Sequence, residues 1–203
     1  MELNVSSCNA CRTKLNLKIE VVMSQLYTYL FVTRHKDNQH IVNHKIRTVC
    51  FVGTSDEVAN KKFKYFVREG PVGEMARLYK SVNARDNAKV NKALIHFLLD
   101  NPDFPVEKLP EKTFGVAQQT NNRAESKWLF DFDSSDKARL NQFVNKIKHL
   151  DASVEVSVKP TVSGYAVVVS HGFDTRDLLS NFNDIVELKR DDMLLVDHAT
   201  NLN

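Results

Sequence analysis

The chain has 203 residues, of which 42% are hydrophobic and 26% charged, with a formal net charge of +3 at pH 7. That length supports one substantial core, or one domain with an appended lobe, and the composition is that of a soluble globular protein. The longest apolar run, "YAVVV", is far too short to cross a bilayer, so no membrane partner is expected, and so small a charge excess permits a polyanionic partner without requiring one.

The amino terminus lacks the basic-then-apolar order of a secretory signal, so a cytoplasmic location is expected. Cys8, Cys11 and Cys50 form no even disulfide framework, which fits a reducing compartment. Cys8 and Cys11 have the spacing of half a zinc site. A structural zinc needs four ligands, for which Cys50 and His35, His40 or His44 are the candidates, and zinc is not expected.

Leu26 to Arg34 ("LYTYLFVTR") is rich in aromatic and β-branched residues and predicts a strand, paired as a hairpin with a second at Ile46 to Val52. From Ser55, a capping Ser-Asp followed by Val58, Phe63 and Phe66 on one face predicts a helix closing near Gly70, with Lys61, Lys62 and Lys64 facing solvent. "ARLYKSVN" (76–83) predicts another strand, and Val90, Ala93, Leu94, Phe97 and Leu98 predict a helix after it. Pro102, Pro105 and Pro110 predict a loop to about Gln119 and a lobe boundary near 110.

The strand "WLFDFD" then combines burial with charge. Successive side chains on a strand point to opposite faces, so Trp128, Phe130 and Phe132 share one face while Leu129, Asp131 and Asp133 share the other. Ser134, Ser135 or Asp136 can cap the next helix, whose apolar stripe is Leu140, Phe143, Val144, Ile147 and Leu150. A hairpin ("VEVSV", "YAVVVS"), a short helix at 175–182 and the runs "DIVELK" and "MLLVDH" complete a β-α-β-β-α-β order. The expected fold is α+β: a ferredoxin-like antiparallel unit over 111–203 and a β-rich amino-terminal lobe over 1–110.

Two carboxylates one pleat apart suit Mg²⁺ or Mn²⁺, which take oxygen ligands from one or two carboxylates and from substrate phosphates. Asp197, ending an apolar strand, is the candidate third acid for phosphoryl or nucleotidyl transfer. A capping role accounts well for Asp133. It accounts poorly for Asp131, since an unpaired carboxylate inside an aromatic run is costly.

The sequence of "WLFDFDS", a hairpin with Ser163-Gly164-Tyr165, and the acid of "LLVDH" resembles the catalytic palm of archaeo-eukaryotic primases and primase-polymerases. It also resembles small bacteriophage proteins of similar length. The resemblance spans about Lys127 to His198 and implies nucleotidyl transfer on nucleotides or nucleic acid, with Asp131, Asp133 and Asp197 as catalytic and metal residues. Lys159, Arg85, Lys80 and Tyr165 are the candidate phosphate- and substrate-binding residues. A phage product would act in the host cytoplasm. The family pattern places a histidine after the Gly-Tyr pair; this chain has Ala166 there, which leaves a degenerate, binding-only relative as the competing form.

Two other readings use the same residues. "LFDFDSS" resembles the nucleophile motif of haloacid dehalogenase-type phosphatases, with Ser170, Lys189 and Asp197 in support, but that fold requires a parallel sheet. A non-enzymatic nucleic-acid- or protein-binding module would instead use Arg77, Lys80 and Arg85 around Tyr79, with Lys159 at the hairpin and Tyr165 or Phe132 as exposed aromatics.

Overall fold

The computed structural model describes residues 25–202, so Cys8 and Cys11 lie outside the described residues. Among the described residues, two four-stranded antiparallel sheets and five α-helices make up an α+β architecture. No helix among the described residues is long and apolar enough to cross a membrane.

The first sheet begins with the predicted hairpin, β1 (Tyr27–Thr33) and β2 (Thr48–Gly53). Ser55 caps α1 (Asp56–Arg68) by accepting from the Val58 amide, and Ala59, Phe63 and Phe66 carry its buried face. Val58 itself is exposed, because the core-facing position is Ala59, one residue on. β3 (Met75–Ser81) pairs with β1, and Tyr29, Phe31, Ala76 and Leu78 pack against α1.

Asp86 caps α2 (Asn87–Asp100). The proline-containing segment is not the continuous loop predicted. A 3-10 turn at Val106–Lys108 leads into α3 (Leu109–Ala117), with Pro110 in its first turn. Proline is tolerated there because the first helical amides have no intrahelical acceptor anyway. α3 covers β2 and α2.

The second sheet follows as β4 (Trp128–Phe132), α4 (Lys137–Leu150), β5 (Val156–Pro160), β6 (Tyr165–Val169), α5 (Arg176–Phe182) and β7 (Val186–Lys189). Its spatial order is β5-β6-β4-β7, every neighbouring pair antiparallel. Asp136 caps α4 by accepting from the amides of Ala138 and Arg139. Phe130 and Phe132 face Leu140, Phe143 and Ile147 of α4 and Leu178 and Phe182 of α5, so both helices cover one side of the sheet.

β8 (Met193–Thr200) leaves this unit and pairs with β3, completing the first sheet as β2-β1-β3-β8. The 111–203 segment therefore contributes to both sheets. A small apolar seam of Val82, Leu129, Ala166 and Leu194, with Val168 against it, joins the uncovered face of the second sheet to the edge of the first.

Candidate functional site: a cleft between the sheets

Strand register fixes what the uncovered face of the second sheet presents. Asp131 on β4 stands opposite Ala166 on β6 and Glu187 on β7, and Ala166 in turn stands opposite Lys159 on β5. One pleat away, Leu129 stands opposite Val168 and Lys189. Because directly opposed residues share a face, Lys159, Ala166, Asp131, Glu187, Leu129 and Lys189 all project from the side that the helices leave open.

Asp131 and Asp133 both line a cleft of about 480 Å³ between this face and the first sheet. The Lys189 ammonium donates to Asp131 Oδ2 at 2.9 Å and lies 3.6 Å from Glu187 and 3.9 Å from Asp192. Burial works to lower the Lys189 pKa, but the hydrogen bond to Asp131 and the charges of Asp131, Glu187 and Asp192 outweigh it and hold the group above the ordinary lysine value. Asp133 is exposed, and its backbone amide ties the end of β4 to Ile185.

The opposite wall comes from β3 and the turn after β1. Arg77 and Tyr79 alternate with core-facing Leu78 and so enter the cleft, where Arg34, Lys36 and Asp37 join them. Asp37 accepts paired hydrogen bonds from two guanidinium groups, Arg34 at 2.8 and 3.1 Å and Arg77 at 2.7 and 2.8 Å. Burial pushes the Asp37 carboxyl upward, yet the hydrogen bonds and charges of Arg34 and Arg77 overcome it and hold it at about 2. The trio carries a net positive charge. Lys36 is exposed and makes no ion pair among the described residues.

Other predicted site residues lie elsewhere. Asp197 stands opposite Leu78 in the first sheet and lines a separate groove with Lys61 and Lys64 of α1; the structure does not bring it to Asp131. The reason is β8's change of sheet, since an apolar strand pattern does not specify its neighbours. Arg85 is a buried strut, its side chain 0% exposed, donating to Asp191 at 3.0 Å and to Gln118 at 2.9 Å. It does not line the cleft.

Tyr165 points to the helix-covered side and meets the Phe132 ring edge-on, so neither aromatic is available to the cleft. Lys80 and Lys159 line a second cavity, of about 370 Å³, with Lys127, Tyr27 and Tyr29. There the Lys80 ammonium sits 3.7 Å from the Tyr27 ring centroid and 2.8 Å from Asp56. Leu194 lines both cavities, so the seam separates them.

His44, a candidate zinc ligand, is instead buried against Glu74 at 3.0 Å, and Arg47 binds the same carboxylate. Ser170 and His171 form a short surface chain with Asp151, remote from the cleft. Among the described residues no group of three or more His, Cys, Asp or Glu is placed to hold a metal ion.

Arg34, Lys36 and Asp37 were not legible as site residues, because "RHKD" reads as a polar turn and only the β1–β3 register brings it to the cleft. No protein-family model matches the chain, and no curated protein matches it.

Proposed function

We propose that the cleft binds the phosphates of a nucleotide or nucleic acid together with Mg²⁺ or Mn²⁺ held by Asp131 and Asp133. The observation that carries this reading is convergence: two carboxylates, the cations Lys36, Arg34, Arg77 and Lys189, and the aromatic Tyr79 line one cleft. Mg²⁺ is commonly held by one or two carboxylates with phosphate and water completing its shell. With no group of three or more acids placed to hold a metal among the described residues, Asp131 and Asp133 fit a cation that arrives with its ligand.

Bound there, the ion would supply charge neutralisation on the phosphates and polarisation of a phosphoryl oxygen. Tyr79 offers a face for stacking a base, and Lys36, without an ion-pair partner among the described residues, offers a cation to the phosphates. The β-α-β-β-α-β order supports a ferredoxin-like, primase-palm-like unit, whereas the all-antiparallel sheet around Asp131 runs against the phosphatase reading.

Ala166 favours the binding-only form. It is 3% exposed, stands opposite Asp131 and belongs to the apolar seam, so the position where the resemblance implies a phosphate-contacting histidine supplies structure instead. The lysine-lined second cavity adds a surface on which a nucleic-acid strand can be held without any metal.

Calorimetry of ATP binding with saturating Mn²⁺ and with EDTA, on the wild type and on folded Asp131→Asn/Asp133→Asn, tests the reading. Metal-dependent ATP binding that is lost in the double variant is expected. No ATP binding under either condition would make the two aspartates structural. Incorporation of labelled nucleotide on a template then distinguishes transfer from binding alone.

A further inference from the structure

The carboxylate that the cation would need is already occupied by a cation of the protein. Lys189 Nζ lies 2.9 Å from Asp131 Oδ2, with Glu187 and Asp192 within 4 Å, so one ammonium is shared among three acids at the mouth of the cleft. The arrangement is a product of strand register: Lys189 of β7 stands opposite Leu129 of β4, two residues along the strand and so diagonal to Asp131 on the same face, and its long side chain reaches across the pleat. Both side chains are partly exposed, so the pair is not locked in a dry core.

From this geometry we infer that Lys189 is a tethered counter-ion that competes with divalent metal for Asp131, making metal uptake contingent on a phosphate-bearing ligand. The inference rests on the proposed cleft function. Metal alone must displace the ammonium and leave it without its strongest partner. A phosphate group entering with the metal gives the ammonium a new acceptor, so the same displacement becomes favourable. A lysine suits this exchange, being a compact charge on a flexible four-carbon stem. Lys189 is thereby a positioning residue acting on the site's charge, with no part in bond making.

The test is Mn²⁺ titration by calorimetry without nucleotide, on wild type, Lys189→Met and Lys189→Arg, with folding checked by circular dichroism. Titrations of ATP with Mn²⁺ and with EDTA accompany it. Removing one positive charge in direct contact with a ligand carboxylate should tighten Mn²⁺ binding by about tenfold or more. The same Lys189→Met change should weaken ATP binding in Mn²⁺, and Lys189→Arg should stay near wild type in both.

Equal Mn²⁺ affinity in wild type and Lys189→Met, with metal-dependent ATP binding in the wild type, overturns the role of Lys189 and leaves the cleft function standing. Tighter Mn²⁺ in Lys189→Met, abolished by adding Asp131→Asn/Asp133→Asn, without ATP binding by any variant, upholds the competition and removes the nucleotide reading. Absence of Mn²⁺ binding in all proteins together with absence of metal-dependent ATP binding overturns both.

Discussion

A methyl group at position 164 would sit 2.0 Å from the Phe132 carbonyl oxygen and 2.8 Å from the Ser134 amide nitrogen. Backbone atoms cannot swing aside as a side chain can, so Gly164→Ala must move either the hairpin turn or the end of β4. It should cost about 2–3 kcal/mol in urea denaturation. Gly115→Ala, at an exposed helical position with open space for a methyl, should instead stabilise by about 0.5–1 kcal/mol. A neutral Gly164→Ala would mean that the turn does not pack on β4 as described. The glycine of the Ser-Gly-Tyr motif is thus accounted for by the close approach of the turn to the strand that carries Asp131. Asp131 was legible from sequence because a period of two puts it beside Leu129 and opposite Phe130; Lys189 was visible as a residue, but its contact with Asp131 depends on the β4–β7 register.

The turn after β1 becomes a wall of the site because Asp37 clamps Arg34 to Arg77 across to β3. Its folded pKa, about 2, lies below that of an unfolded aspartate. The sign follows directly: the carboxylate's contribution is complete above the unfolded value and is lost as pH falls through the folded one. Asp37→Asn should therefore cost about 2–3 kcal/mol at neutral pH, and the gap to wild type should hold from pH 7 to about 5 and narrow by pH 3. Urea denaturation at pH 7, 5 and 3 reads this, and a gap that does not change with pH would assign the cost to packing. At this scale sequence served local elements best. The β1–β2 hairpin, α1, α2 and α4 follow from periodicity and caps, whereas Pro110 hides α3, and the expected carboxy-terminal unit includes β8, which pairs instead with β3 of the first sheet. Periodicity tells which face of a strand is buried; it carries little information about which strand lies alongside.

Across the whole molecule, the two sheets meet through a seam that is small and mixed. Asn83, fully buried, donates to the Lys127 carbonyl and to Asp191 and accepts from the Lys127 amide, while Arg85 holds the other Asp191 oxygen. Beside this polar lock, Ala166 and Leu129 of the second sheet contact Val82 and Leu194. Leu129 and Ala166 line the cleft on one side of that contact and Val82 and Val168 line the second cavity on the other, so a larger side chain at position 166 would have to be fitted between the two sheets. Ala166→His introduces the histidine that the proposed primase-like reading implies and tests whether the seam can admit it. The imidazole brings several extra heavy atoms into the seam, and relieving them requires either separating the sheets or turning the ring toward Asp131. A cost of about 1–3 kcal/mol follows from overpacking, which for a chain of this size lowers Tm by roughly 2–10 °C. ATP affinity in Mn²⁺ should not improve, because the change widens the support on which Asp131, Tyr79 and the arginines are held. An Ala166→His protein that melts with the wild type and binds ATP more tightly would reverse this conclusion: the seam would then admit a histidine, and the small side chain at this position would not be what holds the cleft open.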